Sequence, residues 1–96
     1  MKVVFAASAR EDLADIVRFI ANDKPQAARD WAKGVRVSVS KLSDFPRLGR
    51  IVPEYADENI REIIKGQYRI VYKIDEEKQI IVVVAVHHSK RHLLSQ

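Results

Sequence analysis

Residues Ile60 to Ile74 read I-R-E-I-I-K-G-Q-Y-R-I-V-Y-K-I. Two runs rich in β-branched and aromatic residues flank Gly66-Gln67, and the pair is short enough for a tight hairpin turn in which glycine supplies a positive φ. Pairing across that turn predicts Lys65 beside Tyr68, Ile63 beside Ile70 and Arg61 beside Tyr72 on one face. The other face then carries Ile64 with Arg69, Glu62 with Val71 and Ile60 with Lys73. Neither face is purely apolar. Strands that place Arg, Glu and Lys among strong β-formers belong to an exposed edge or to the floor of a working surface.

Working outward, Gln79 to His88 (Q-I-I-V-V-V-A-V-H-H) is almost continuously apolar and predicts a central strand. Asp75 to Lys78 forms the turn before it, and Lys2 to Ala6 is a first, short strand. Ser8 is expected to cap a helix, with Glu11 at the capping-box position and Asp12 in the first turn. Leu13, Ile16, Val17 and Ile20 follow as one apolar stripe. Asn22 to Pro25 ends this helix and opens a second, from Gln26 to Ser43, whose stripe is Ala28, Trp31, Ala32, Val35, Val39 and Leu42. Trp31 is expected in the core, and Gly34 to mark close packing against the first helix. Asp44 to Tyr55 contains Pro46, Gly49 and Pro53 and reads as a loop anchored by Phe45, Leu48 and Ile51.

The order is β-α-α-β-β-β. It predicts an α+β fold with a helical hairpin on one face of a mainly antiparallel four-stranded sheet. Residues 1–96 are read as a single domain with no repeats or linkers. Alternation alone leaves open whether the Arg61/Tyr72 face or the Glu62/Arg69/Lys73 face is the one left uncovered.

With 47% hydrophobic and 31% charged residues, the composition is that of an ordinary globular protein. The longest apolar run, Ile80 to Val86, is too short to span a bilayer, and the N-terminal apolar part is too short for a secretory signal. A cytoplasmic location without membrane association is expected. Having no cysteine agrees with it and removes thiolate, disulfide and zinc-thiolate chemistry. Lys plus Arg outnumber Asp plus Glu by 17 to 13, a net charge of +4 that leans toward polyanionic partners or serves solubility alone. Arg47 lies just before the midpoint, and Arg50, Arg61, Lys65, Arg69, Lys73, Lys90 and Arg91 fall in the second half.

Among residues able to carry chemistry, His88 and His92 have i, i+4 spacing but no carboxylate close in sequence, so neither a metal nor any other cofactor is expected. His88, at the end of a strand beside arginines, is either an acid–base group or a residue that closes the strand by packing. Arg61 and Arg69 have the planar fork that suits phosphate or carboxylate, and for one of the two a cross-strand pair with Glu62 is the alternative reading.

Taken together, the first strand, A-R-E-D-L-A-D-I-V-R-F-I-A, P-Q-A-A-R-D-W, P-R-L-G-R-I-V-P-E, the hairpin and V-A-V-H-H-S-K-R-H-L resemble the RelE/ParE superfamily of type II toxins from Val3 to Leu93. The resemblance implies a small basic toxin neutralised by a cognate acidic antitoxin in a tight hetero-oligomer. RelE-like members are metal-independent, ribosome-dependent mRNA endonucleases; ParE-like members poison DNA gyrase. Under the nuclease alternative Arg69, Arg91 (or Lys90) and His88 match basic and acid–base positions. Arg50, Arg61, Lys65, Arg69, Lys73, Lys90 and Arg91 are the expected contacts to target or antitoxin. The chain lacks the lysine-rich segment and the C-terminal tyrosine of the nucleases. Its P-R-L-G-R-I-V-P-E loop and V-H-H-S-K-R ending look more like the ParE-like branch, so gyrase is the expected target. A degenerate member kept for antitoxin binding is a third possibility.

Overall fold

The computed structural model describes residues 1–90. The elements run β1 (Lys2–Phe5), α1 (Ala7–Ala21), α2 (Pro25–Ser40), a 3₁₀ turn (Lys41–Ser43), β2 (Arg50–Ile51), β3 (Ile60–Lys65), β4 (Tyr68–Asp75) and β5 (Ile80–His88). Strand order is β1-β5-β4-β3-β2. The α+β hairpin-on-sheet architecture is as expected, with two refinements. The sheet has five strands, because Arg50 and Ile51 pair with Glu62 and Arg61. It is also mixed, since β1 runs parallel to β5. A two-residue strand between Gly49 and Pro53 is too short to leave a periodic signal.

The central hairpin forms in the predicted register, with Lys65, Ile63 and Arg61 opposite Tyr68, Ile70 and Tyr72. Gly66 turns it at φ 62°, and β5 has a strand on each side. The helices cover the Tyr72 face. Ala9, Val35, Val39 and Leu42 pack there on Ile70, Tyr72, Ile74, Ile81, Val83 and Val86, with Leu13, Ile16, Trp31, Ile63 and Tyr68 at the margin. Trp31 packs partly buried against the core, and meets Tyr68 edge-on with ring centroids 5.2 Å apart. The Glu62/Arg69/Lys73 face is the one the helices leave open. Among the described residues no helix is long and apolar enough to cross a membrane.

The start of α1 departs from expectation for a definable reason. Val71 pairs with Ala85 and Tyr72 with Val83, so Val84 is a bulge without an opposite residue. Ser8 Oγ donates to the Val84 carbonyl at 2.8 Å, and the Val86 N–H donates to the Asp12 carboxylate at 2.9 Å. Ala6, not Ser8, takes the cap position, and no side chain caps the helix. Main-chain groups loosened by the bulge have claimed the residues that local pattern assigns to capping. At its other end α2 tightens after Ser40 into the 3₁₀ turn, which still buries Leu42.

Loop 44–59 is held differently from the reading by apolar anchors. Phe45, Leu48 and Ile51 are exposed, whereas Val52 is fully buried. The Tyr72 hydroxyl donates to the Pro46 carbonyl at 2.7 Å and accepts from the Gly49 N–H at 2.9 Å. Arg61 Nη1 donates to the Gly49 carbonyl at 2.9 Å. A polar clamp on the main chain thus positions the loop and leaves its large side chains outside. Burial pushes the Tyr72 phenol above its ordinary value, opposed by the Gly49 N–H and by the charges of Arg61 and Arg47.

The two tight glycines differ in what confronts them. A Cβ on Gly49 would lie 2.6 Å from the Glu62 carbonyl oxygen and 2.8 Å from the Tyr72 hydroxyl. A Cβ on Gly34 would meet only the end of the Lys65 side chain, at 2.6 Å. The close approach expected against the first helix is therefore to β3. Lys65 can swing away, so Gly34→Ala is expected to stabilise by about 0.5–1 kcal/mol through helix propensity. Gly49→Ala should cost about 1–3 kcal/mol by forcing backbone apart. Urea unfolding measures both, and a destabilised Gly34→Ala would show that Lys65 is fixed. A phenol whose folded value is raised supports the fold below the unfolded value and withdraws that support as pH climbs past it. Stability should then fall above about pH 10, and Tyr72→Phe, though weaker at neutral pH, should show a shallower alkaline decline in its urea midpoint.

Candidate functional site

On the open face, alternation along β3 and β4 brings Glu62 and Arg69 diagonally together. Arg69 Nε donates to Glu62 Oε1 at 2.6 Å. Its two terminal nitrogens form a fork onto Glu54, Nη1 to Oε2 at 2.9 Å and Nη2 to Oε1 at 2.7 Å. Glu62 Oε2 in turn accepts from Arg50 Nε at 2.6 Å. Two arginines and two carboxylates balance. Arg69 is only 4% exposed and Glu62 1%, while the Arg50 side chain is 60% exposed and closes the network toward solvent. Bonding to Glu54 and then Glu62 raises the Arg69 pKa above its ordinary value despite the opposing effect of burial.

Of the alternatives for Arg69, the pair with Glu62 is therefore the one that forms, extended by Glu54, a partner that local spacing does not reveal. Glu54 lies 15 positions away in the loop, behind Pro53, and only the folded path of residues 52–59 brings it over the sheet. Nothing in the sequence sets it apart from Asp44, Asp57 and Glu58, the other carboxylates of the same loop. Arg69, expected among the contacts to target or antitoxin, is buried in this fold.

The other expected residues are dispersed. Arg61 lies on the helix-side face and donates to the carbonyls of Glu58 and Gly49. Lys65 runs along α2 at Gly34. Lys73 is exposed on the open face, beside a depression of about 290 Å³ lined by Tyr55, Ile60, Val71, Val84, Ala85 and His87. His88 packs edge-on against Tyr68, its Nε2 3.3 Å from Gln67 Oε1, and its Nδ1 accepts from the Lys90 N–H at 3.2 Å. That is the strand-closing arrangement. His88 is paired with Tyr68 and His87 with Arg69, so His88 and Arg69 sit on opposite faces of the sheet. Lys90 is exposed; Arg91 and His92 lie outside the described residues. Among the described residues no group of three or more His, Asp or Glu could hold a metal ion.

Residues 3–93 match the family model described as the ParE toxin of the type II toxin–antitoxin system parDE. The chain belongs to the ParE toxin family. No curated protein matches it. Among solved structures, the chromosomal ParDE system of P. aeruginosa superposes with a TM-score of 0.76 at 14% identity, covering 94% of this chain and 97% of that one. The RelBE2 toxin–antitoxin complex of Mycobacterium tuberculosis gives 0.60 at 27% identity, covering 91% and 95%. The intact E. coli RelBE complex gives 0.63 at 16% identity, covering 94% and 98%. This ParE-family chain thus has the RelE/ParE fold and is a type II toxin.

Removing Arg69 leaves two carboxylates on the open face without their shared cation. Arg69→Ala is expected to lose about 3–5 kcal/mol of stability, and Arg50→Ala less than half as much, because Arg50 faces solvent and leaves Glu62 still bonded to Arg69. Urea midpoints compare them; equal losses would show that Arg50 is as essential to the network as Arg69.

Proposed function

We propose that this toxin acts by binding DNA gyrase, without catalysis of its own, and that a cognate antitoxin neutralises it through an acidic segment. The observation that carries the reading is the placement of Arg69. Its guanidinium is enclosed by Glu54 and Glu62, and His88 faces the other side of the sheet. A nuclease built on Arg69 and His88 needs both groups on one phosphodiester, within hydrogen-bond reach of the same reacting atoms. Membership of the ParE family supports the same direction.

The antitoxin reading draws support from the structural relatives, several of which are toxin–antitoxin complexes. It also suits the chain's charge of +4. Arg50 and Lys73 are exposed on the open face, Lys90 lies exposed at its end, and the apolar depression beside Lys73 can seat a side chain. Charged contacts at the rim with an apolar anchor between them suit a segment that alternates acidic and apolar residues.

Pulse labelling of DNA and protein synthesis after induction tests the target. DNA synthesis is expected to fall first while translation continues. Immediate translation arrest with mRNA cut in the ribosomal A site would replace gyrase by the ribosome. His88→Ala is the informative variant, since its side chain lies outside the buried core; it should leave toxicity unchanged. Loss of toxicity in Arg69→Ala carries no such information, because that change is expected to weaken the fold.

A further inference from the structure

Eight arginines lie within the described residues, and six of them donate to acceptors of the chain itself: Arg10, Arg18, Arg47, Arg50, Arg61 and Arg69. Arg29 and Arg36 have no hydrogen-bond or ion-pair partner among the described residues, and neither has Lys33 between them. All three are exposed on α2. At 100° per residue they fall within an arc of about 60°, and the rise from Arg29 to Arg36 is about 10 Å. Asp30, the nearest carboxylate in sequence, lies outside that arc and accepts from Gln26 Nε2 at 3.0 Å. The ridge borders a shallow seam of about 540 Å³ between the helices, floored by Val17, Ala21, Ala28 and Ala32.

Arg guanidinium is the side chain suited to phosphate, and a row of uncommitted cations on a convex helix can follow a charged backbone. An acidic protein segment docks by apolar anchors as well, and a floor of alanines and one valine offers no deep socket for one. Single strands are held by stacking on aromatic rings, and α2 places no aromatic residue in this arc. A helix about 10–12 Å across matches the major groove of B-form DNA, about 12 Å wide, and not the narrow one of A-form RNA.

We propose that the outer ridge of α2, formed by Arg29, Lys33 and Arg36, binds the phosphate backbone of duplex DNA without reading its sequence. Its use against the DNA segment held by gyrase rests on the gyrase reading above; the contact with DNA does not. The ridge lies on the helical layer, on the far side of the core from the open face of the sheet. A toxin seated on a protein partner through that face therefore keeps the ridge free for DNA.

Fluorescence anisotropy of the full chain with a mixed-sequence duplex of about 20 base pairs, between about 50 and 200 mM salt, tests this. Three phosphate contacts predict a slope of log affinity against log salt of about −2.7, or −0.9 for each phosphate. The triple variant Arg29→Gln/Lys33→Gln/Arg36→Gln should bind at least tenfold more weakly at low salt with a flattened slope. Lys2→Gln/Lys41→Gln/Lys78→Gln removes the same charge elsewhere and should bind as the parent does, with equal urea midpoints establishing that both variants fold. Equal loss in both variants would assign binding to overall charge, and no loss in the first would remove the ridge; either overturns the proposal. So would tighter, ridge-dependent binding of poly-glutamate or single-stranded RNA. A supercoiling assay with purified gyrase separates the two readings. Ridge-dependent duplex binding without inhibition sinks the gyrase reading alone, and inhibition without duplex binding sinks the ridge alone.

Discussion

A guanidinium buried on a β-sheet is the constraint on which the arrangement of this toxin's open face depends. Taking an ion out of water costs several kcal/mol unless partners surround it. Arg69 meets that demand by drawing in Glu62 from the neighbouring strand and Glu54 from a loop 15 positions away, with Arg50 completing Glu62. Four residues from β2, β3, β4 and the loop must then hold their places together. The path of residues 52–59 over the sheet and the position of the two-residue edge strand follow from satisfying one charge. A bidentate pair also has a fixed geometry, so the network directs as well as neutralises.

The opposite face obeys a matching rule with neutral groups. Tyr72 is fully buried beneath the loop, yet its hydroxyl donates to Pro46 and accepts from Gly49. The bulge at Val84 exposes a carbonyl, and the loosened ladder leaves the Val86 N–H; Ser8 and Asp12 at the start of α1 take up both. On each side of the sheet, polar groups that the core cannot leave unpaired decide where loop and helix sit. The apolar contacts then fill the remaining space.

This division explains what could be read from the chain. The register of β3 on β4 was legible, because a two-residue turn with glycine fixes it and alternation does the rest. So was β5, whose β-branched run has no other use, and so was the helical hairpin with Trp31 packed against the core. Ser8 was misread because its local context is that of a cap, while its actual partner is 76 residues away. Phe45, Leu48 and Ile51 were misread because hydrophobicity suggests burial, and a loop clamped through its main chain has no need to bury them. Glu54 was missed altogether. A long-range ion pair leaves no periodic trace, and its existence follows from the path of a loop that the ion pair itself helps to set.

The same reasoning changes how the chain's positive charge should be counted. By sequence the cations are spread almost evenly, nine before the midpoint and eight after it, so position along the chain does not mark a working surface. In the fold, Arg47, Arg50, Arg61 and Arg69 are tied to Glu76, Glu62, the carbonyls of Glu58 and Gly49, and Glu54 with Glu62. A guanidinium bonded within the chain is held in place and offers a partner only its remaining N–H donors, and the buried Arg69 would lose most by turning outward. Among the arginines, the two not bonded within the described residues are Arg29 and Arg36, which stand with Lys33 on the outer side of α2. Basic character in so small a domain therefore does two separate jobs. Part of it organises the sheet and its loop, and the rest is exposed, with Arg29, Lys33 and Arg36 standing together on α2.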